Sequence, residues 1–426
     1  MGDQIQPIRG MNDVLPDSRA AWATVENAAK DIFEAYGYKR IRIPALERTE
    51  LFSRSIGETT DIVQKEMYTF EDRNGSSITL RPEATAGIVR AGLNNGLFHN
   101  KQQKLWCSGP MFRYEKPQKA RYRQFNQIDV EAIGFPGPEV DAELITMSAQ
   151  LWGRLGLESP RLMLNSLGTP EARAVYREAL KDYFSEVIDS LDPESLNRLE
   201  RNPLRILDSK NPDLVDLILN APELSDYLDD DSKFHFDNLL KMLDSVNIDY
   251  EVNSRLVRGL DYYSRTVFEW VTDKLGAQSA VCSGGRYDGL VSQLGGRETP
   301  AIGWALGVER VVELLDAEQL TVTEQLPEAY LVAEGEYPRS LLLRVSEELR
   351  EKLPNACISM DCMGGSLKAQ LRRADRSGAR FALILGMDEL NEGKVSVKAL
   401  REDTPQVMLN MYDLASMLLG QLEKSP

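Results

Sequence analysis

Cysteine and histidine are scarce in this chain. Its 426 residues include only four cysteines and two histidines. They are Cys107, Cys282, Cys357, Cys362, His99 and His235. Because no two cysteines form a C-x-x-C pair, we expect neither a zinc site nor any other dedicated cage of metal ligands. We interpret the cysteines as small buried side chains, which is the usual environment of a free thiol.

Long apolar runs are missing as well. No stretch of the sequence approaches the roughly 20 apolar residues that a membrane-spanning helix requires. The opening residues, MGDQIQPIRG, lack both the apolar core and the cleavage pattern of a secretory signal. We therefore expect a cytoplasmic protein that does not enter a membrane.

Basic residues are outnumbered, since 50 lysines and arginines face 66 acidic residues and leave a net charge of −16. This balance argues against a general nucleic-acid binder, because such a surface repels a polyanion on average. The excess is uneven: residues 181–251 contain 18 acidic and 7 basic residues. Residues 111–125, in contrast, contain five basic residues and the single acid Glu115.

The order of sequence patterns predicts an α+β fold. Residues 105–134 form two strand-like segments around the polar turn KPQKA, which predicts an antiparallel hairpin. Further strand-like segments, TVFEWVT, SAVCSGG and AIGWALG, follow one another while helical patterns lie elsewhere. Strands grouped in this way are typical of an antiparallel sheet with flanking helices.

The length of the chain exceeds the range of a single hydrophobic core, so we expect more than one domain. Residues from about 170 to 250 have helix-length patterns broken by prolines, which indicates a helical insertion. The last 100 or so residues alternate strand and helix patterns, which is typical of a small α/β domain. The predicted domains are therefore 1–324, with the insertion, and 325–426.

Alternate side chains of the predicted strand RYRQFNQIDVE share one face of a sheet. The shared set is Arg121, Arg123, Phe125, Gln127, Asp129 and Glu131. Such a row suits a site where guanidinium groups hold phosphates, a ring stacks on a base, and polar groups bind a second ligand. The alternative is a solvated sheet face, since runs of charge are usually exposed.

Three other segments place polar side chains near predicted turns. RLVRGLDYYSRTVFEW brings Arg258, Tyr262 and Tyr263 to the start of a strand, although aromatic residues are more often core than ligand contacts. TLRPEATAG places Glu83 and Thr85 at a helix start, where simple capping is an equal alternative. SGGRYDG has neither G-x-G-x-x-G spacing nor a P-loop lysine, so it is a weak nucleotide signal.

Together and in this order, the segments resemble the class II aminoacyl-tRNA synthetases and, among them, the histidyl-tRNA synthetase family. FRYE at residues 112–115, followed by a loop and a strand, matches the aromatic-Arg-x-Glu motif of the class. The glycine-spaced strand that ends in Glu309 and Arg310 matches a second class motif, and Pro44 ends a first one. LVRGLDYYSRTVFEW and GGRYDGL are similar to two segments peculiar to the histidine family. The resemblance covers essentially the whole chain and implies the class II sheet, a C-terminal anticodon-binding domain and a homodimer.

The resemblance implies a site for ATP. Arg113 would contact the α-phosphate and Phe125 would stack on adenine. Arg121 and Arg310 would hold the outer phosphates, and Mg²⁺ bound with ATP would neutralise the remaining charge. The other expected ATP contacts are Glu115 and Gln127. Fixed positive charge is needed here because a carboxylate that attacks an α-phosphate brings two anions together.

The resemblance also implies a site for L-histidine. Glu83 and Thr85 would receive its amino group, and Gln127 would orient its carboxylate. Arg258 would lie over the reacting carboxylate and α-phosphate, so Arg258 and Arg113 are the expected catalytic residues.

The imidazole end of the histidine site involves four residues in the family pattern. Glu131 and Tyr263 would hydrogen-bond the two ring nitrogens, and Tyr262 and Tyr287 would line the pocket. An analogue without those nitrogens would leave polar partners unpaired, which gives discrimination on the order of 10⁴ in comparable sites.

Three positions depart from the family pattern. Ala84 and Ala305 stand where glycine is often found, and Asn126 stands where histidine is often found. By strand alternation Asn126 points away from the ligand row, so we expect little effect from it. The methyl group of Ala84 is expected to alter the amino-group site slightly.

Contacts with tRNA are expected from two groups of basic residues. Lys116 and Lys119 lie in the predicted turn of the hairpin. Lys368, Arg372 and Arg376 recur every four residues and form one stripe on a predicted helix. A solvated helix face is the alternative for the stripe, but the resemblance places it in an anticodon-binding domain for tRNA(His).

The activity implied is formation of histidyl-adenylate from L-histidine and ATP, followed by transfer to the 3′ end of tRNA(His). A non-catalytic relative that senses histidine or serves as a regulatory subunit is the alternative. Such relatives usually lose motif residues or the C-terminal domain, whereas this chain retains Arg113, Arg258 and Arg310. A ligase that forms amides without tRNA would not need the C-terminal domain.

Overall fold

The computed structural model describes residues 4–57, 60–207, 209, 211–276, 280–320 and 326–422. The chain divides into two compact units, Met1–Val322 and Thr323–Pro426. The domain boundary predicted between residues 324 and 325 lies outside the described residues. Within the described ranges, no helix combines the length and the apolar character needed to cross a membrane.

The first unit is built on an eight-stranded sheet. In spatial order its strands are β1 (Lys39–Arg40), β5 (Gln103–Phe112), β6 (Gln124–Ile133), β11 (Ala301–Gly307), β10 (Ala280–Arg286), β9 (Ser264–Val271), β7 (Arg161–Ser166) and β8 (Tyr250–Val252). All neighbours from β5 to β7 are antiparallel, and the two outermost pairs are parallel. The predicted antiparallel sheet and the predicted hairpin, formed by β5 and β6, are confirmed.

A small antiparallel sheet, ten α-helices and six short 3₁₀ or π turns complete the described part of the first unit. The sheet has the order β2 (Leu46–Arg48), β4 (Ser77–Leu80) and β3 (Tyr68–Glu71). The helices are α1 (Arg19–Ala35), α2 (Thr49–Ile56), α3 (Thr85–Asn94), α4 (Glu139–Leu155), α5 (Pro170–Glu186), α6 (Pro193–Arg201), α7 (Val215–Leu219), α8 (Asp230–Ser245), α9 (Leu290–Gln293) and α10 (Val308–Ala317).

Proline marks the starts of helices between β7 and β8. Pro170 and Pro193 occupy the first positions of α5 and α6, where the missing N–H has no intrahelical partner to lose. The preceding side chains, Thr169 and Asp192, accept hydrogen bonds from the backbone of the first turn. Positions that interrupt the helical pattern in the sequence are therefore positions where helices begin.

One face of the large sheet carries the main hydrophobic core, and the other faces a cleft. Ile128 and Val130 of β6 are buried in the core together with residues of α1, α4, α8 and α10. Gln127 and Asp129 point to the opposite side, where they line the cleft. The alternation of β6 thus separates apolar from polar side chains.

The second unit contains a five-stranded mixed sheet and four helices in its described residues. Its strands, in spatial order, are β13 (Ile358–Met360), β12 (Ala329–Ala333), β14 (Phe381–Leu385), β15 (Lys394–Ala399) and β16 (Val407–Asn410). Its helices are α11 (Glu336–Lys352), α12 (Leu367–Arg376), α13 (Met387–Glu392) and α14 (Met411–Leu422). The first three strands in this order are parallel, so the predicted α/β character is confirmed.

The cysteine prediction is right for the first unit only. Cys107 and Cys282 are buried in strands of the large sheet. Cys362 is exposed and Cys357 is half-buried, so the prediction of burial is wrong for these two. Both lie outside the strands of the second unit, where the backbone does not direct a side chain into the core.

A buried ion network fixes the end of β10. Arg286 is fully buried and places Nη2 2.6 Å from Oδ1 of Asp141 in α4. His235 of α8 lies 2.8 Å from the other carboxylate oxygen, and Nη1 of Arg286 donates to the Phe135 carbonyl at 3.0 Å. Burial alone would raise the pKa of Asp141, but the Arg286 charge and the His235 hydrogen bond hold it below its usual value. The network anchors the strand immediately before Tyr287.

We predict that Arg286→Met lowers the free energy of unfolding of the first unit by about 3–5 kcal/mol, because it leaves the buried carboxylate of Asp141 without its guanidinium. The double variant Arg286→Met/Asp141→Leu should recover part of this loss, since it removes both charges. Urea denaturation of both variants is the measurement. Equal stability of the single variant and the parent would mean that the ion pair does not hold the strand.

Candidate active site

A cleft of about 240 Å³ opens on the polar face of the large sheet. Its floor is formed by β6, β10 and β11, and its walls come from the start of α3, the β5–β6 connection and residues 258–263. The structure brings twelve of the predicted site residues to this one cleft. They are Glu83, Thr85, Arg113, Glu115, Arg121, Phe125, Gln127, Arg258, Tyr262, Tyr263, Tyr287 and Arg310.

The row of side chains predicted along RYRQFNQIDVE is correct only in part. Strand β6 begins at Gln124, so Arg121 and Arg123 precede it and do not follow its alternation. The turn before them includes Ala120 with a left-handed φ of 57°, which redirects the chain. Arg121 still lines the cleft and pairs with Glu115. Arg123 turns away, with its guanidinium carbon 3.8 Å from the Tyr114 ring centroid.

Arginines gather at one end of the cleft. Nε of Arg113 donates to the Pro82 carbonyl at 2.9 Å, and its guanidinium carbon lies 5.3 Å from the Phe125 ring centroid. Burial lowers the pKa of Arg113. Burial, together with repulsion from Arg113 and Arg121, lowers the pKa of Arg310 to about 10. Such crowding of positive charge is relieved by an anion, so this end suits phosphate groups.

Arg258 lines the cleft and is held on two sides. Its Nη1 is 2.6 Å from Oε1 of Glu269 on β9, and its Nη2 donates to Oγ of Ser283 on β10 at 2.6 Å. Burial alone would lower its pKa, but the charge of Glu269 raises it above the usual value. The guanidinium is therefore fixed in place and fully charged.

Glu131 lies just beneath the cleft surface. Its carboxylate accepts hydrogen bonds from Oγ1 of Thr85, at 2.6 Å, and from the hydroxyl of Tyr287. Burial raises its pKa well above the usual value, although both hydrogen bonds act in the opposite direction. Gly303 pairs with Glu131 across β6 and β11, and a Cβ there would collide with the carboxylate. A glycine is thus required for this arrangement.

Unpartnered acceptors are buried at the same end of the cleft. Ala86 donates its backbone N–H to Oε1 of Glu83 at 3.0 Å, whereas Oε2 accepts no hydrogen bond from any described residue. The side-chain oxygen of Gln127 is likewise buried without a donor in the described part of the chain. Burial raises the pKa of Glu83, and burial with the nearby Glu83 charge raises that of Asp129 to about 8. This end therefore suits a cationic ligand that donates several hydrogen bonds.

Among the residues that the structure describes, no group of three or more histidine, cysteine, aspartate or glutamate side chains could hold a metal ion. Acidic groups do reach the phosphate-like end of the cleft, since Glu115, Glu269 and Glu309 belong to its lining. Each of these carboxylates already has a partner in the protein. The lining of this end therefore includes carboxylate oxygens, which are among the ligands that Mg²⁺ takes in proteins.

Two family profiles match the chain. The profile described as "Histidyl-tRNA synthetase" matches residues 10–311, and the profile described as "Anticodon binding domain" matches residues 332–421. The chain belongs to the histidyl-tRNA synthetase family.

Full-length relatives agree with this assignment. A protein of Hydrogenovibrio crunogenus named "Histidine--tRNA ligase" is 53% identical over 425 residues, which is 100% of both chains. One of the same name from Halorhodospira halophila is 55% identical over 416 residues, 98% of each chain. The crystal structure of an apo S. aureus histidyl-tRNA synthetase matches with a TM-score of 0.82 and 34% identity, over 97% of this chain and 100% of that one.

The three departures from the family pattern lie at different places relative to the cleft. Ala84 is fully buried in a cluster with Ile88 and Leu105, between Glu83 and Thr85 of the cleft lining, and its effect on the amino-group site stays a prediction. Asn126 points away from the cleft, as strand alternation predicts, and hydrogen-bonds Glu309 through its backbone and side chain. Ala305 does line the cleft, on β11.

Sequence reasoning missed the partners of Arg258. Glu269 could have been found, because it is a single charged residue within the apolar strand segment TVFEWV. Ser283 has no comparable signal, since it reaches Arg258 only through the pairing of β9 with β10.

The predicted tRNA contacts lie outside the cleft. Lys116 and Lys119 are exposed in the β5–β6 connection, and Nζ of Lys119 is 2.8 Å from Oε2 of Glu313. Lys368, Arg372 and Arg376 are exposed on α12 of the second unit. Within the described ranges, none of these last three forms an ion pair, so their charges face solvent.

We predict that Asp129→Asn stabilises the protein increasingly as pH rises above about 4, with the full gain reached above about pH 8. The pKa of Asp129 is raised to about 8, so the native state binds more protons than the unfolded state, and its stability falls as pH rises from about 4 to about 8. The variant removes this loss, and its melting temperature should exceed that of the parent by at least roughly 2–4 °C at pH 9. Both proteins should melt alike near pH 4. A constant difference across the pH range would contradict the assignment.

Proposed function

We propose that this protein is a histidine–tRNA ligase, which activates L-histidine with ATP and transfers the histidyl group to the 3′ end of tRNA(His). The observation that carries the proposal is the division of one cleft into an arginine-rich end and an acidic, tyrosine-lined end. This division suits a reaction between a polyphosphate and a cationic amino acid, in a chain of this family.

ATP occupies the arginine-rich end. The Arg113 guanidinium covers one face of the Phe125 ring. The adenine stacks on the other face of that ring. The Nη atoms of Arg113, which donate to no described residue, bind the α-phosphate. Arg121 and Arg310 hold the outer phosphates, and the carboxylate of Glu115 keeps Arg121 in position.

L-Histidine occupies the acidic end. Its ammonium group donates to Oε2 of Glu83, which has no other donor in the described chain, and to Thr85. The amide of Gln127 orients its carboxylate toward the α-phosphate. The ammonium ion also lowers the cost of burying several carboxylates together.

The imidazole lies among three tyrosines of this end. The rings of Tyr262 and Tyr263 have centroids 4.7 Å apart, and Tyr287 packs edge-on against Tyr262 at 5.7 Å. Tyr263 hydrogen-bonds one ring nitrogen. The Glu131 carboxylate hydrogen-bonds the other ring nitrogen. The hydroxyl of Tyr287 donates a hydrogen bond to the same carboxylate and is held in position by it. Polar groups on both nitrogens select histidine over an apolar isostere.

The reaction needs no protein nucleophile. The histidine carboxylate attacks the α-phosphorus, pyrophosphate leaves, and the terminal ribose hydroxyl of tRNA later displaces AMP from the acyl carbon. Arg258, fixed by Glu269 and Ser283, bridges the two reacting anions and stabilises the charge that develops between them. Mg²⁺ bound with ATP supplies further neutralisation of the phosphate oxygens.

The organisation of the chain is part of the proposal. Residues 1–324 form the catalytic domain, with a helical insertion at about 170–250, and residues 325–426 form the anticodon-binding domain. The protein acts as a cytoplasmic homodimer. Lys116 and Lys119 reach the acceptor end of tRNA, while the stripe on α12 contacts the anticodon arm. Arg113, Arg258 and Arg310, the motif arginines that non-catalytic relatives usually lose, all line the cleft. Their presence supports an enzyme over a non-catalytic histidine sensor.

We predict histidine-dependent exchange of pyrophosphate into ATP. Arg258→Ala should slow single-turnover adenylate formation by about 10²–10³-fold, because it removes a preorganised positive charge. Arg154→Ala, at an exposed site on α4, is the matched control and should leave the rate unchanged. Absence of exchange with histidine and magnesium would refute the enzyme, and an unchanged rate in Arg258→Ala would remove this residue from the mechanism.

We also predict that the triple variant Lys368→Gln/Arg372→Gln/Arg376→Gln weakens tRNA binding. The slope of log Kd against log salt should decrease by about 0.7–0.9 for each phosphate that the variant no longer neutralises. Pyrophosphate exchange, which does not involve tRNA, should remain. A salt slope equal to that of the parent would show that the stripe is only a solvated helix face.

A further inference from the structure

A second cleft, here named the arginine cleft, lies in the first unit beside the active-site cleft. It encloses about 330 Å³ and has five arginines and one acidic residue in its lining. These charged residues are Arg173, Arg177, Arg201, Arg205, Arg258 and Asp261. Arg258 and Leu260 border both clefts, so the two adjoin at the residue that is proposed to bridge the reacting anions.

The inner part of the arginine cleft is fixed by contacts with residues 259–263. Nη1 of Arg173 donates to the carbonyl of Tyr263. Nη2 of Arg205 donates to the Gly259 carbonyl and to Oδ1 of Asp261, both at 3.0 Å. The single acid of the cleft is therefore already engaged. Burial, with repulsion from Arg177 added to it, lowers the pKa of Arg173 although Asp261 acts in the opposite direction.

The cleft contains hydrogen-bonding capacity that the protein does not use. The Nε atoms of Arg205 and Arg258 are buried and have no acceptor among the described residues. Arg177 and Arg201 are exposed at the rim, and neither forms an ion pair with any described acidic residue. Unused buried donors beneath unpaired cations at the rim make a site for an anion.

The positive charge of the arginine cleft stands out against the acidic segment that supplies part of it. Residues 181–251 contain 18 acidic residues and only 7 basic ones, yet two of the seven, Arg201 and Arg205, line the arginine cleft. The remainder of that segment repels a polyanion, so the cleft is the edge at which one could approach it.

We propose that the arginine cleft binds backbone phosphates of the single-stranded 3′ end of the tRNA. The proposal rests on the proposed function, in which the terminal ribose must enter the active-site cleft. A chain that passes Arg258 and Leu260 leaves its preceding phosphates in the arginine cleft. Cations supplied by two helices, α5 and α6, suit an extended polyanion better than one inorganic ion.

The test uses the double variant Arg177→Gln/Arg201→Gln in the full-length protein, since both side chains are exposed and make no ion pair in the described structure. Lys181→Gln/Lys233→Gln is the matched control, because it removes the same charge from exposed sites on α5 and α8 outside the cleft. The probes are an acceptor-stem RNA hairpin with its single-stranded 3′ end and the same hairpin without that end.

We expect the parent and the lysine control to bind the complete hairpin more tightly than the truncated one. The arginine variant should lose this preference, and its salt slope for the complete hairpin should fall by about 1.4, since each single-strand phosphate contact contributes about 0.7. Transfer of histidine from preformed adenylate to tRNA should slow in the arginine variant, while pyrophosphate exchange persists.

The outcomes separate the two proposals. No exchange in the parent would refute the proposed function itself. Normal exchange with an equal loss of binding to both hairpins, or an equal effect of the lysine control, would overturn the arginine cleft as the site for the 3′ end. A variant that keeps its preference for the complete hairpin, but responds less to inhibition by pyrophosphate, would also overturn it and assign the cleft to a small anion.

Discussion

Arg113 and Glu83 are charged groups of opposite sign that line one cleft, and neither forms an ion pair with a described residue. Burial lowers the pKa of Arg113 and raises that of Glu83, so each ionised group is held at a cost. Arg113 is positioned by the Pro82 carbonyl and not by a carboxylate, which leaves its charge for a ligand. The same holds at the acidic end, where Glu83 retains an oxygen without a donor from the described chain. The guanidinium of Arg113 and the carboxylate of Glu83 are therefore left to interact with a ligand.

This separation depends on how rigidly the strands present their side chains. The absence of a side chain at Gly303 lets the carboxylate of Glu131 lie flat between β6 and β11. The ion pair of Arg286 with Asp141 fixes β10 from behind, next to Tyr287. A network on the other side of the sheet thus supports its polar face. This support holds the charged side chains of the cleft in fixed positions.

The excess of acidic residues in the rest of the chain limits positive charge to a few places. A strongly acidic protein that must bind ATP and tRNA has to concentrate positive charge at the points of contact. In the described part of the first unit, arginines gather at one end of the active-site cleft and in the arginine cleft, and Arg258 borders both. Repulsion by the surrounding acidic surface restricts where a polyanion can approach.

Much of the fold could be predicted because it depends on local patterns. The β5–β6 hairpin followed from two strand-like segments around a polar turn, and the α/β character of the second unit followed from alternating patterns. Errors arose where the backbone leaves regular structure. The alternation of β6 does not extend to Arg121 and Arg123, because both precede the strand.

The sequence by itself determined the family, through ordered motifs, and the residue types that the chemistry requires. Only the tertiary structure decided which of them meet. Ser283 reaches Arg258 through strand pairing, and Arg201 and Arg205 join Arg173 through the packing of α6 and the following turn near α5. Spacing along a chain predicts neighbours on one strand or helix, whereas contacts between elements depend on packing that no local pattern contains. The arginine cleft is therefore a property of the fold.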